Sequence, residues 1–253
     1  MNSEIKKNQG NIEYYLKNKK KILKGFNSLV KVAKKTEFSD LDASTIDIII
    51  QKAQIELEKL LSKLPFVGGD KSPFTPLMIQ SAMTIAFYKA STSLKLSERE
   101  LGKFIYQVAA LHAQSISTIK KWINRKIIFS KKGKNYWKTW LRETQKREYP
   151  ENWAGVFIES DNNSFDYGFD FTECGMIKLA QEENVEEIVP YACLCDYARM
   201  RAFGIGFKRT KTLIAGEDSC DFRFVKGCET PRGWPPEDLE ENKIFYANLK
   251  QKS

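Results

Sequence analysis

Two short stretches of this chain alternate in a way that leaves few alternatives to a half-buried antiparallel sheet. Between Phe165 and Thr172, the side chains of Phe165, Tyr167, Phe169 and Phe171 share one face of an extended chain. Asp166, Asp170 and Thr172 fall on the other. Between Ser219 and Val225 the same period sets Cys220, Phe222 and Phe224 against Asp221 and Arg223. A face this aromatic needs a covering layer, and apolar residues at helical spacing upstream provide one.

The rest of the C-terminal half fits around these two strands. Trp153 to Glu159 reads as a further strand, and Asp161-Asn162-Asn163-Ser164 is turn chemistry. A helix follows from Cys174 to Ala180. A second helix carries Val189, Cys193, Asp196, Tyr197 and Met200 on one face. Gly204 and Gly206 stop it, because glycine reaches the left-handed end conformation without a Cβ clash. Phe207 to Ile214 reads as a strand and Ala215-Gly216-Glu217-Asp218 as the turn into Ser219–Val225. That hairpin would bring Asp221 and Arg223 near Arg209 or Lys211.

Upstream the pattern is helical. Ile22, Phe26, Leu29, Val30 and Val32-Ala33 mark one helix, and Ile46, Ile49, Ile50, Ala53, Ile55, Leu57 and Leu60-Leu61 a second, joined near Thr36 to Asp42. Asp40 or Ser44 would cap the second helix. Leu64 to Pro73 is the clearest loop, and Thr75 to Ser91 an apolar helix. Ser97 with Glu100 three residues on forms a capping box for the next helix. Helices over Ile116–Phe129 and Tyr136–Arg147 are separated by Ser130-Lys131-Lys132-Gly133, and Trp137, Trp140 and Leu141 pack on the body. A short helix is expected at Pro236 to Leu249.

The expected fold class is α+β: a four-stranded antiparallel sheet, made of two hairpins separated by helices, with helices packed on one face. An N-terminal helical extension over 1–64, an α+β domain over 73–228 and a tail over 229–253 packed on the domain complete the organisation.

Several function classes are disfavoured. The net charge of +9 invites a nucleic-acid reading, yet the excess lies in the N-terminal helix and in Lys120–Lys146, with no recognised nucleic-acid motif. Lysine-rich solvated helices explain it, and no nucleic-acid partner is expected. The first residues lack an apolar signal region, and no apolar run approaches the roughly 20 residues that cross a bilayer. The five cysteines (Cys174, Cys193, Cys195, Cys220 and Cys228) form no disulfide framework. These features fit a cytoplasmic chain without a membrane partner; homo-oligomerisation stays open. Cys193-x-Cys195 lacks the gap of zinc pairs and there is a single histidine, so no metal is expected. No Walker loop, dinucleotide fingerprint or serine elbow is present, and no cofactor is expected.

Chemistry therefore concentrates between Tyr191 and Phe224. In one reading Asp196, Cys220, Asp221 and Arg223 line a polar pocket. In the other an amphipathic helix packs on a hairpin and its thiols are small buried apolar groups. His112, at helical spacing from Ile105, Val108 and Leu111, is partly buried and is either structural or a pocket residue.

The segment Cys195-Asp196, Arg209-Thr210-Lys211-Thr212, Gly216, Cys220-Asp221-Phe222, followed by Gly233 to Glu237, resembles the L-2-amino-thiazoline-4-carboxylic acid hydrolase family. The resemblance implies a role in cysteine metabolism: a small-molecule substrate, 2-aminothiazoline-4-carboxylate or a related heterocycle, opened to N-carbamoyl cysteine. For that reaction Asp196 or Asp221 is expected on the ring or the attacking water, and Arg209 or Arg223 on the substrate carboxylate. Cys220 is a candidate nucleophile, opposed by its place on the apolar face; Cys195 and His112 complete the substrate-binding set. The order of strands and helices is also similar to 4-vinyl reductase-type domains, which makes a non-catalytic small-molecule-binding domain the alternative.

Overall fold

The computed structural model describes residues 13–35, 38, 41–94, 96–161 and 164–242. The chain divides into two units: 1–108 with 149–152 and 175–189, and 109–148 with 153–174 and 190–253.

The first unit is helical. Helix α1 spans Lys19–Ala33, α2 Ala43–Leu61 and α3 Phe74–Ser91. Asp42, rather than Ser44, caps α2: its carboxylate accepts from the Thr45 amide at 2.7 Å, and the Ser44 hydroxyl itself donates to Asp42. Asp40 lies outside the described residues. Helix α3 is apolar on most sides, with Phe74, Met78, Ala82, Ile85 and Ala86 buried. Helix α4, Glu98–Ser115, opens on the expected capping box. The Ser97 amide donates to Glu100 at 2.8 Å and the Glu100 amide to the Ser97 hydroxyl at 3.2 Å. Phe26 stacked on Phe87 at 5.4 Å and Phe38 tilted against Phe104 at 4.9 Å fill the interior. Helix α7, Gly175–Glu182, replaces the expected Cys174–Ala180 with a shift of one to two residues.

The second unit carries α5 (Thr118–Ile128), α6 (Lys131–Thr144), β1 (Ala154–Glu159), β2 (Tyr167–Glu173), α8 (Val189–Phe203, from Pro190 on), β3 (Gly206–Lys208) and β4 (Cys220–Val225). The sheet is four-stranded and antiparallel, in the order β1-β2-β4-β3. Tyr167 pairs Phe224, Phe169 pairs Phe222 and Phe171 pairs Cys220, so the aromatic residues share one face as the alternation requires. Helices cover that face. Trp137 of α6 lies 5.0 Å from Phe169, and Tyr197 of α8 lies 5.0 Å from Phe207. Gly204, at φ 64, ends α8 as expected: the Ile205 amide returns to the Met200 carbonyl and the Gly204 amide to Arg201.

Three local expectations fail for identifiable reasons. Ser130-Lys131-Lys132-Gly133 is not a spacer; Ser130 caps α6 by accepting from the Gly133 amide at 3.0 Å. Gly133 serves a close approach, since a Cβ there would stand 2.1 Å from the Ile127 carbonyl oxygen. The expected strand over Phe207–Ile214 stops at Lys208, because the Asp221 carboxylate captures the Thr210 and Lys211 amides and a 3₁₀ turn follows at Leu213–Ala215. The tail forms 3₁₀ turns at Pro236–Asp238 and Glu240–Asn242 in place of a helix, and 243–249 lie outside the described residues.

Candidate functional site

Helix α8 presents Asp196 toward Arg209, which leaves β3 one residue after its last paired position. The guanidinium, 1% exposed, lies 4.9 Å from the Phe222 ring centroid and is also stacked near Tyr197 and Phe207. Its donors are largely engaged. Nε reaches Glu241 Oε2 at 2.6 Å and Nη2 reaches Oε1 at 2.8 Å; Nη1 reaches Asp196 Oδ2 at 3.0 Å and Nη2 the Cys193 carbonyl at 3.0 Å. Tyr197 adds its hydroxyl to Glu241 at 2.8 Å. Burial opposes the Arg209 charge, but Glu241 and Asp196 outweigh it and hold the guanidinium charged.

Asp196 stands differently. Its side chain is 39% exposed, and among the described residues only Oδ2 is hydrogen-bonded, leaving Oδ1 free. Packing raises its carboxyl above the usual carboxylate range, with Arg209 pulling the other way. One turn on, Arg199 is exposed and has no ion pair among the described residues, yet is near enough to act on both Asp196 and His112. His112, on α4, is half-buried; desolvation and then Arg199 push its imidazole below its ordinary value. Both effects favour the uncharged imidazole.

The thiols of Cys193, Cys195 and Cys220 are held in the protonated form. Burial lifts Cys195 and Cys220 to about 12, and Cys193 well above the ordinary thiol value. The Cys195 thiol leans on the Tyr191 carbonyl at 4.0 Å, and Cys220 sulfur accepts from the Leu213 amide at 3.2 Å.

Asp196, Arg209, Cys193 and Cys220 thus come together, with Cys195 next in sequence and His112 reached through Arg199. Asp221 and Arg223 do not join them; β4 alternates and turns both to the opposite face. Asp221 holds the Arg209–Thr212 segment, accepting from the Thr210 amide and hydroxyl at 2.7 Å each and from the Lys211 amide at 2.6 Å. Arg223 pairs Asp170 at 2.6 Å across the sheet. Thr212 Oγ1 is buried without a hydrogen-bond partner among the described residues.

Two residues escaped the sequence reading. Arg199 was visible as the i+3 neighbour of Asp196 on one helical face. Glu241 gave no local signal, lying 32 residues beyond Arg209 in an acidic tail. Cavities of about 550 Å³, near Trp122 and Cys228, and about 310 Å³, near Lys134 and Phe157, are lined by other residues of this unit.

Asp196 and Arg199 thus lie on one helix; among the described residues no group of three or more His, Cys, Asp and Glu side chains could hold a metal ion. Residues 77–224, more than half of the chain, match the family model of L-2-amino-thiazoline-4-carboxylic acid hydrolase, and the chain belongs to that family. The family name is that of a hydrolase. Neither a curated protein nor a solved structure matches.

Proposed function

We propose that the protein is a hydrolase that opens a small cyclic C–N/C–S substrate, 2-aminothiazoline-4-carboxylate or a close heterocycle. The observation that carries this reading is the half-open Asp196 carboxylate, tethered by Arg209 through one oxygen and free at the other. Asp196 takes a proton from water as the oxygen adds to the amidine-like ring carbon. The adduct then collapses: its hydroxyl proton passes to the ring nitrogen as the carbonyl forms, the C–S bond breaks, and the departing sulfur receives the proton held by Asp196. The product is N-carbamoyl cysteine. Water is favoured over a thiolate because Cys193, Cys195 and Cys220 are held protonated.

Arg199 is the residue we assign to the substrate carboxylate, since the Arg209 fork is filled by Glu241. His112, on which Arg199 acts, is the further polar group we assign to the substrate-binding set.

The test is mass spectrometry of the purified chain with 2-aminothiazoline-4-carboxylate and a panel of thiazolines, oxazolines and cyclic amidines, read as the gain of one water. Asp196→Asn should lower kcat by about 10²–10⁴-fold while keeping the fold. Arg199→Met should chiefly raise KM. Because a raised carboxyl stays protonated to higher pH, activity should fall on the acid side at a pH above the ordinary range near 4. An active Asp196→Asn enzyme excludes the base role.

The filled Arg209 fork favours a second reading, a non-catalytic binding domain. Absence of turnover together with a co-purifying small molecule would select it.

A further inference from the structure

We propose that α5 seats this protein on an anionic lipid surface. The helix spans Thr118–Ile128, eleven residues of which none is buried. Ile119 is 72% exposed, Trp122 52%, Ile123 44% and Ile127 56%. At 3.6 residues per turn these four fall within about 140° of the helix circumference. Soluble chains scatter such residues singly; a contiguous apolar stripe marks a contact.

The rest of the helix is basic. Lys120, Lys121, Arg125 and Lys126 lie between and beside the apolar residues, with no acidic residue in the segment, and α6 follows at once with Lys131, Lys132 and Lys134. The Lys126 ammonium sits 5.7 Å over the Trp122 ring, its stem lying within the stripe as a snorkelling lysine does. Alongside runs the groove of about 550 Å³ whose lining includes Trp122, Arg125, Phe129 and Lys226. Among the described residues, neither Arg125 nor the Lys226 ammonium has a carboxylate partner. An apolar stripe for the acyl boundary beside unpaired cations for headgroup phosphates is the composition of an interfacial helix.

Two other occupants fit less well. A helix this short offers roughly 16 Å by 10 Å of surface, well short of the about 800 Å² per partner of a stable dimer. A two-fold pairing through α5 would also set its cations against the same cations of the second copy. The sequence-based expectation of no membrane partner rested on the lack of a spanning run. That remains so, as no helix among the described residues is long and apolar enough to cross a membrane, and the contact proposed is peripheral.

The experiment is co-sedimentation of the full chain with vesicles of phosphatidylcholine alone and of phosphatidylcholine with phosphatidylglycerol. Partition should be strong only onto the anionic vesicles and weaken with salt. The exposed pair Ile119→Ser/Ile123→Ser should lower it about tenfold with an unchanged melting temperature. A blue shift of tryptophan emission on vesicles should be lost in Trp122→Phe. Absence of partition, or partition indifferent to the double variant, overturns the proposal. So does a dimer in sedimentation velocity that the double variant dissolves, which would give the face to a second copy.

Discussion

The two sides of β4 each carry an arginine–carboxylate pair, and the pairs do opposite things. On the helix-covered side Arg209 is 1% exposed, stacked on aromatic rings and forked onto Glu241, which is fully buried. On the open side Arg223 and Asp170 keep 22% and 26% of their side-chain surface and bond across β2 and β4. Both arginines present a guanidinium to a carboxylate. What differs is water: on the covered side a lost partner strands a charge, and on the open side solvent replaces it. The first pair therefore fixes the architecture around Asp196, while the second trims the sheet.

The sharpest way to break this comparison is Glu241→Gln. It removes the bidentate partner and leaves the buried guanidinium with Asp196 alone, and should cost about 3–5 kcal/mol in urea unfolding. Arg209→Met combined with Glu241→Gln should recover most of that loss, because an apolar replacement leaves no buried charge unpaired. A Glu241→Gln variant as stable as the parent would put the tail outside the architecture of the site.

Next in size is Asp221→Ala, which removes three hydrogen bonds that hold the Arg209–Thr212 segment. We expect about 2 kcal/mol, as for the loss of a strong cap, and a lower kcat because Arg209 positions Asp196. Asp221→Asn keeps the two amide bonds and should lose less. Equal losses for the two variants would mean that the hydroxyl of Thr210, not the amides, is what Asp221 secures.

The same contrast explains what the sequence disclosed. Local rules spoke clearly: the aromatic alternation of β2 and β4, the reciprocal Ser97–Glu100 cap and the Gly204 stop each depend on neighbours within a few residues. They misled where a distant group intervened. The β-branched run after Phe207 left the ladder because a side chain from β4 took its amides, and propensity carries no record of that capture. Ser130–Gly133 misled in another way, since lysines and glycine read as a spacer although Ser130 is a good cap. Within the candidate site, Asp196 and Arg209 stood out by residue type and motif. The alternation that grouped Cys220 with the phenylalanines already separated Asp221 and Arg223 from it. Glu241 was illegible because any acidic residue in a tail reads as solvated until its partner is known.

The smallest expected effect is the most diagnostic of the open side. Arg223→Met removes the bond to Asp170 and the backbone contacts at Phe169 and Phe222, but Asp170 keeps access to water, so unfolding should cost no more than about 1 kcal/mol. The cost should shrink further in high salt, as it does for pairs that solvent screens. Because Arg223 lies across the sheet from Asp196, KM should not move, whereas Arg199→Met should raise it. A rise in KM for Arg223→Met with stability unchanged would place the substrate carboxylate on the open face. It would then be Arg223, with Nε and Nη2 uncommitted among the described residues, that performs the recognition assigned to Arg199.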